Sequence, residues 1–194
     1  MKTSQFYDTI SPLYFMIDFF LKPHKKLITK EVNEFPDCSI LEIGVGQATH
    51  LKKYHSKQIT GIDSSAKMLQ QAKRNNPNTV TLVNMDAVNL SQFNQKFDIV
   101  ILANVLSTTS NPNEILKEAH NVLNTNGKII ILNHFSNGQV VGFIERLFQP
   151  IANLFHFQSY FPLKNLTMLK IVGQVKALKF GLLNSYKLLV FEKT

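Results

Sequence analysis

The feature that most constrains the fold is a series of short apolar runs that alternate with helix-forming segments. The first run, Cys38–Gly44, is largely apolar and ends at a glycine, which is typical of a strand buried on both faces. Similar runs follow at Gln58–Asp63, Thr79–Val83, Phe97–Ala103 and Lys128–Asn133. Strands that alternate with helices at this spacing predict an α/β fold with a Rossmann-like, doubly wound and mostly parallel sheet.

Helices are predicted between these strands, and two further strands after them. Gly44–Tyr54 is interpreted as a glycine turn that opens a helix, whereas Ser64–Asn75 begins with serine and Asn111–Leu123 has proline near its first turn. Met168–Leu178 and Ser185–Lys193 are predicted to form the antiparallel pair that closes the sheet. No internal repeat or flexible linker is visible, so the 194 residues are expected to form a single domain.

Composition limits the class of protein. The 44% hydrophobic and 18% charged residues are typical of a globular protein, and the one cysteine, Cys38, excludes an internal disulfide. No Cys/His cluster of the kind that binds metal is present, so no metal is expected. The apolar run Leu13–Leu21 contains Asp18 and is too short to cross a bilayer, so we expect a cytoplasmic protein.

The formal net charge of +8 indicates either an anionic partner or a basic but inert surface. Nucleic acid and anionic lipid both satisfy this charge, and charge alone does not choose between them. Leu13, Ile17 and Phe20 share one face of the first predicted helix, with Lys22 and Lys25 just beyond it. Such a helix either lies in an anionic membrane interface or packs on its own domain.

A nucleotide-type cofactor is indicated where the first strand ends. Gly44 and Gly46 follow that strand, and glycine lets the backbone approach a ligand closely. Thr49 replaces the third glycine of the dinucleotide fingerprint and no basic residue lies in the turn, which favours a cofactor without phosphates over NAD. Asp63 ends the second strand and can accept hydrogen bonds from ribose hydroxyls, while Asp86, after the third strand, can accept from an adenine amino group.

The ordered motifs Ile40–Gly46 (ILEIGVG), Gly61–Leu69 (GIDSSAKML), Asp86 and Phe97–Gly127 resemble those of class I methyltransferases. This resemblance implies S-adenosylmethionine as the cofactor, with Asp63 on its ribose. It also implies that Glu42 lies beneath the methionine end and that the Ala103 carbonyl lies beside the methionine amino group. The residues that the resemblance assigns to the cofactor are Glu42, Gly44, Gly46, Asp63, Ser64, Met68, Asp86, Ala87, Ala103 and Asn104. One departure is Gln47-Ala48, where many relatives carry Thr-Gly.

Further segments narrow the resemblance to bacterial phosphatidylethanolamine N-methyltransferases, which are relatives of the ubiquinone and menaquinone methyltransferases. Tyr7–Tyr14 (YDTISPLY) resembles their N-terminal helix, and Ile129–Phe135 (IIILNHF) with Phe143–Phe148 resembles their late segment. We expect residues 1–35 to form a helical cap and membrane-contact segment. Residues 136–165 are expected to form an aromatic insertion at the acceptor site.

The chemistry of amine methylation assigns roles to side chains of these segments. Tyr7 and Tyr14 are expected to form an aromatic pocket that desolvates the amine, lowers its pKa and holds the methylated cation. His134 is expected to accept the amine proton or to hydrogen-bond the lipid phosphate, for which Arg146 and Lys164 supply cations. We therefore expect methylation of phosphatidylethanolamine toward phosphatidylcholine, by an enzyme bound peripherally to the anionic inner face of the membrane.

Two other functions remain open from the sequence. A methyltransferase for a quinone or another small hydrophobic acceptor would use the same apolar entrance, but it would not need Arg146 or Lys164. A non-catalytic RNA-binding protein would explain the positive charge, although the basic residues are scattered and the stacking aromatic motifs of RNA-binding modules are not evident. The lipid hypothesis predicts neither a nucleic acid partner nor an obligate protein partner.

Overall fold

A seven-stranded sheet forms the centre of the fold. The computed structural model describes residues 25–76, 80–136, 145–147, 149–150, 158, 160–171, 173–180 and 186–193. The strands are β1 (Ile40–Ile43), β2 (Ile59–Asp63), β3 (Thr81–Asn84), β4 (Phe97–Ala103), β5 (Leu123–His134), β6 (Gly173–Phe180) and β7 (Tyr186–Glu192). Their order is β3-β2-β1-β4-β5-β7-β6; β1 to β5 are parallel, and β7 is antiparallel to both of its neighbours. The predicted α/β fold with an antiparallel closing strand is confirmed.

Two of the helices begin at the capping signals that the sequence carries. The structure contains α1 (25–32), α2 (Ala66–Asn75) and α3 (Pro112–Asn121), with short helical stretches at 145–147 and 149–150. The N–H of Met68 donates to Ser65 Oγ at 3.1 Å, which caps α2, and a proline opens α3. Within the described ranges, no helix is both long and apolar enough to span a bilayer.

The helix expected within Gly44–Tyr54 does not form. The segment contains turns and a single 3-10 turn, Leu51–Lys53. Gly44, Gly46 and Ala48 have φ angles of 65°, 56° and 55°. These left-handed conformations are incompatible with a right-handed helix, so this prediction was wrong for a reason of backbone geometry.

Two strands begin five residues away from their predicted starts. The fifth strand begins at Leu123 rather than Lys128, because the intervening turn is taken up as a bulge between the pairs Phe97–Leu123 and Ile99–Lys128. Asn126, in that bulge, has a left-handed φ of 62°. The strand expected from Met168 begins after a 3-10 turn, at the first residue of β6.

Apolar side chains cover both faces of the parallel strands. On β1, Leu41 and Ile43 pack in one core layer with the buried face of α3, whereas Ile40 packs in the opposite layer with Ile28 of α1. Glu42 shares the face of Ile40 and is also buried. Burial on both faces leaves the ends of the strands as the places where polar groups collect.

A carboxylate fixes the amino-terminal edge of the sheet. Asp98 on β4 accepts the backbone N–H of Ser39 at 2.9 Å, the Ser39 hydroxyl at 2.7 Å and the Asn124 amide at 2.7 Å. Partial burial alone would raise the pKa of Asp98, but these hydrogen bonds outweigh it and hold the pKa below its usual value. The carboxylate thus joins the starts of three neighbouring strands.

Replacing Asp98 with Asn is expected to lower the free energy of unfolding by about 1–3 kcal/mol at neutral pH, because an amide donor would then face the donors of Ser39 or Asn124. The pKa of Asp98 is lower in the folded chain, so its stabilisation is complete above the unfolded value of about 4. The stabilisation is lost as the pH falls through the lowered pKa. Urea unfolding across the range from about pH 7 to pH 2 tests both statements. A stability difference that stays constant down to the acid end would contradict the ionic role.

Candidate active site

A cavity of about 510 Å³ opens at the carboxyl ends of the first four strands. Its volume falls within the roughly 300–1,000 Å³ that is typical of small-molecule sites. It lies where the strand order reverses between β1 and β4, which is the position at which doubly wound sheets bind ligands. Nine of the ten residues that the sequence assigned to a cofactor line it: Gly44, Gly46, Asp63, Ser64, Met68, Asp86, Ala87, Ala103 and Asn104.

The turn after β1 presents backbone to this cavity. Gly44 and Gly46 are both left-handed, and a Cβ on Gly44 would lie 2.5 Å from Cγ2 of Val105. Glycine is therefore required at position 44 on two independent grounds. Ala48 adopts the same left-handed conformation without being glycine, at a cost of about 1–2 kcal/mol. The turn therefore keeps its left-handed conformation at Ala48, although Gln47-Ala48 stands where many relatives carry Thr-Gly.

Side chains from the end of α2 hold the turn in place. The amide of Asn75 donates to the Gln47 carbonyl at 2.7 Å, and the buried amide of Asn76 donates to the Ala48 carbonyl at 2.9 Å. Sequence reasoning did not find these two asparagines, because they lie 28 residues from their partners along the chain. Only the packing of α2 beside the turn brings them together.

Asp63 joins the turn to the second strand. One carboxylate oxygen accepts the N–H of Gly46 at 2.8 Å, and the other accepts the N–H of Ser65 at 2.8 Å. A carboxylate oxygen can accept more than one hydrogen bond. Asp63 lines the cavity and is therefore suited to receive hydroxyl donors from a ligand.

The loops after β3 and β4 complete the cavity. Asp86 lies between Met85 and Ala87, and its carboxylate accepts the N–H of Val88 at 3.3 Å. Asn104 follows β4 in a left-handed conformation with φ of 59°. Among the described residues its side-chain nitrogen is buried without a hydrogen-bond partner. A buried donor at the cavity wall is a position that an acceptor atom of a ligand would satisfy.

Glu42 is the assigned cofactor residue that does not line the cavity. Its carboxylate lies 2.6 Å from Nε2 of His50 and accepts the hydroxyl of Tyr54 at 2.9 Å. Its place beneath the methionine end therefore stays a prediction. Sequence reasoning also did not predict that the loop after β4 contributes polar residues to the lining: Thr108, Thr109, Ser110 and Asn111. A run of small polar residues between two predicted elements is a signal that could have identified them.

Within the described part of the chain, none of the residues assigned to the acceptor lines this cavity. Tyr7 and Tyr14 lie outside the described residues. His134 ends β5, with Nε2 3.1 Å from Oε1 of Glu145. Arg146 is exposed, donates to the Tyr160 hydroxyl at 2.7 Å and stacks 4.1 Å from the centre of that ring.

Burial and Glu145 act on His134 in opposite directions. Burial disfavours the imidazolium, whereas the Glu145 carboxylate favours it, and the net effect lowers the pKa of His134. The imidazole is therefore neutral at physiological pH. Lys164, the remaining assigned residue, lies exposed on a 3-10 turn.

Two described residues of the predicted insertion 136–165, called the late segment below, are hydrogen-bonded to the elements that follow β4. Gln158 donates from its backbone N–H to the Ser107 carbonyl at 2.8 Å and from its side chain to the Thr109 carbonyl at 2.9 Å. Asn113, on the first turn of α3, donates to the Asn165 carbonyl at 2.8 Å. The late segment is thus tied to the loop that follows β4.

Replacing Gly44 with Ala is expected to lower the free energy of unfolding by about 2 kcal/mol or more, because a left-handed alanine is combined with a clash against Val105. Adding Val105→Ala removes the clashing methyl and should recover part of that loss relative to Val105→Ala alone. Ala48→Gly is the control, with an expected change within about 1 kcal/mol because strain relief offsets the lost methyl. Urea unfolding of the four variants measures these differences. A Gly44→Ala protein as stable as the wild type would contradict the steric argument.

Comparison with known proteins identifies the cofactor-binding half. Residues 41–131, just under half of the chain, match a family model described as a methyltransferase domain. A phosphatidylethanolamine N-methyltransferase of Cereibacter sphaeroides is 28% identical over 153 residues, which cover 74% of this chain and 75% of the relative. A demethylmenaquinone methyltransferase of Thermotoga maritima is 30% identical over 112 residues, covering 56% of this chain and 48% of the relative.

A solved structure shares the fold. The N-methyltransferase NodS from Bradyrhizobium japonicum, in complex with S-adenosyl-L-homocysteine, matches with a TM-score of 0.66 at 14% identity. The match covers 89% of this chain and 87% of NodS. The likeness therefore extends from the sheet to the elements around it.

The cavity fits S-adenosylmethionine by the chemistry of its own residues. Asp63 and Asp86 offer acceptors for hydroxyl and amino donors, and Asn104 offers a buried donor without a partner in the described part of the chain. No lysine or arginine is among the described residues that line it, which suits a cofactor without phosphates. The sheet order, the glycine turn and the match of residues 41–131 to a methyltransferase domain together indicate an S-adenosylmethionine-dependent methyltransferase with the class I fold.

Proposed function

We propose that this methyltransferase transfers methyl groups to the amine of phosphatidylethanolamine at an anionic membrane surface. The similarity to the Cereibacter enzyme carries the proposal. Its 153 aligned residues extend well beyond the methyltransferase domain at 41–131, so the likeness includes sequence outside the cofactor motifs. Sequence outside those motifs is where acceptor specificity resides in a fold that serves many acceptors.

The structure around the late segment supports an amphiphilic acceptor. Phe135 and Phe161 are buried and stack with ring centres 5.8 Å apart, which gives the segment an apolar base. Leu147 is 68% exposed and follows the exposed Arg146 directly in the chain. Apolar and cationic groups side by side are suited to the interface of an anionic bilayer. The net charge of +8 favours the same surface.

The residues of the cavity serve to align the two reactants. S-adenosylmethionine, when bound, supplies a methyl group on a cationic sulfur that is transferred by in-line displacement. Asp63 would hold the ribose hydroxyls and Asp86 the adenine amino group, and the Asn104 amide would donate to an acceptor atom of a bound molecule. The Gln158 bonds to the loop after β4 hold the late segment beside the cavity rim.

The acceptor amine has to be neutral when it attacks. A primary ammonium has a pKa of about 10, so it has to lose its proton on binding. His134 lies two residues beyond Leu132, whose carbonyl accepts the Asn104 N–H at 2.7 Å, so its strand ends beside the cavity. We assign the proton to a ring nitrogen of His134, with Glu145 stabilising the imidazolium that forms. Arg146 and Lys164 are assigned to the lipid phosphate, and Tyr7 and Tyr14 to the amine pocket.

Methylation of a quinone-type acceptor is the second candidate function. The demethylmenaquinone methyltransferase of Thermotoga maritima is the observation that favours it. A quinone ring would use the same apolar surroundings, but it carries no phosphate for Arg146 and Lys164. The two candidates therefore differ in what they require of these cations.

Transfer of radiolabelled methyl groups into lipid tests the proposal directly. The purified chain should label anionic vesicles that contain phosphatidylethanolamine and leave matched vesicles without it unlabelled. Asp63→Asn is expected to lose the labelling because an amide donor would face the N–H of Gly46 or Ser65 and weaken the hold on the ribose. Absence of lipid labelling by a chain that binds S-adenosylhomocysteine would reject the lipid acceptor and direct the same assay to quinone-like acceptors.

Replacing Arg146 or Lys164 with Ala distinguishes the two acceptors. With a lipid phosphate bound to either cation, the variant should have a KM for phosphatidylethanolamine raised by about tenfold, which corresponds to the loss of one charged hydrogen bond. Lys30→Ala, which removes a cation exposed on α1, is the matched control for a general loss of positive charge. Unchanged kinetics in both variants would speak against phosphate recognition at these residues.

The rate of methyl transfer should depend on pH through His134. Because burial lowers the pKa of His134, the base form persists at neutral pH and is lost as the pH falls through that lowered pKa, below about 6.5. His134→Gln is expected to lower kcat by about a hundredfold and to flatten this acid limb. A variant with wild-type kcat and the same acid limb would show that another group accepts the proton.

A further inference from the structure

A buried carboxylate beside the cofactor turn is not explained by the cavity lining. Glu42 is 1% exposed and lies in the middle of β1, paired in register with Gly61 of β2 and Ile101 of β4. Its face of the sheet is an apolar layer that includes Ile28 and Ile40. A charge in such a layer is costly unless hydrogen bonds compensate it.

Two side chains from beyond the turn provide that compensation. Oε1 of Glu42 lies 2.6 Å from Nε2 of His50, and Oε2 accepts the Tyr54 hydroxyl at 2.9 Å. Burial alone would raise the pKa of Glu42, but His50, Lys25 and Tyr54 outweigh it and hold the pKa below its usual value. Burial and the Glu42 charge raise the pKa of Tyr54 well above its usual value, so the phenol remains a donor. Both bonds are therefore charge-assisted at neutral pH.

The two bonds close loops around the cofactor turn. His50 is eight residues and Tyr54 twelve residues beyond Glu42, and the left-handed residues Gly44, Gly46 and Ala48 lie between them. β1 is held in place because it is hydrogen-bonded to β2 on one side and to β4 on the other. Each bond to Glu42 therefore fixes the segment after the turn relative to β1. A strained turn persists only where its surroundings impose the conformation.

A buried histidine at position 50 is less favourable for folding than an apolar side chain would be. The residue is 5% exposed, and within the described structure its Nδ1 is buried without a hydrogen-bond partner. A buried polar atom without a partner costs folding free energy, and an apolar side chain would avoid that cost. Compared with an apolar side chain, the imidazole of His50 provides one further interaction, its hydrogen bond to Glu42.

We propose that His50 and Tyr54 are positioning residues for S-adenosylmethionine, which they do not contact. Through the Glu42 carboxylate they fasten the turn after β1 to the sheet and keep Gly44 and Gly46 in the conformation that lines the cavity. The proposal rests on the cofactor and not on the identity of the methyl acceptor. Neither side chain lines the cavity, so their effect on the cofactor passes through Glu42 and the turn.

Binding of S-adenosylhomocysteine to the full chain, measured by calorimetry, tests the proposal. Tyr54→Phe and His50→Leu should each weaken binding by about tenfold, the loss expected for one charge-assisted hydrogen bond. His50→Gln, whose amide can also donate to Glu42, should bind more tightly than His50→Leu. Ser39→Ala is the matched control, because it removes a hydroxyl bound to a carboxylate on the same sheet, at the edge away from the cavity.

Thermal unfolding of the same variants separates positioning from stability. The proposal requires that Tyr54→Phe lose affinity while Ser39→Ala, with a comparable loss of melting temperature, retains it. Wild-type affinity in folded Tyr54→Phe and His50→Leu proteins would overturn the proposal, as would affinity losses that follow melting temperature in every variant. The measurement uses no methyl acceptor, so its failure is distinct from failure of the phosphatidylethanolamine proposal.

Discussion

Burial of the central parallel strands β1, β2, β4 and β5 on both faces is the constraint from which the rest of the structure follows. Residues such as Leu41 and Ile40 point into opposite core layers, so neither face of the sheet can carry a site. Polar groups collect at the strand ends, with Asp98 and Ser39 at one edge and Asp63 at the other. The amino-terminal network fixes the strands, and the cavity occupies the opposite edge where the strand order reverses.

The turn after β1 is where this scaffold is converted into a binding site. The turn carries three left-handed residues, of which Ala48 is not glycine, and its conformation is imposed from several sides. Asp63 accepts the N–H of Gly46, and Asn75 and Asn76 donate to the carbonyls of Gln47 and Ala48. After the turn, His50 is hydrogen-bonded to Glu42. The cofactor thus meets a backbone that is arranged before binding, which reduces the entropy cost of association.

We propose that acceptor choice depends on a different part of the chain. Gln158 is hydrogen-bonded to the loop after β4, and the rings of Phe135 and Phe161 stack on each other. His134 and Glu145 join it to the end of β5. A class I methyltransferase fold serves many acceptors, so the identity of the acceptor has to be argued from these side chains and not from the sheet.

The sequence by itself determined the α/β class, the parallel strands, the closing antiparallel pair and nine of the residues that line the cavity. These features follow from local patterns, because apolar runs, capping residues and the positions of Gly44 and Asp63 after strands are read over a few neighbouring residues. Only the tertiary structure decided three features: the left-handed conformations in the turn 44–48, the hydrogen bond from Asn76 to the Ala48 carbonyl, and the burial of Glu42 against His50 and Tyr54. Those features depend on packing between α2, the turn and β1. Contacts between segments that are distant in sequence leave no periodic pattern in either segment, so they cannot be predicted from local sequence.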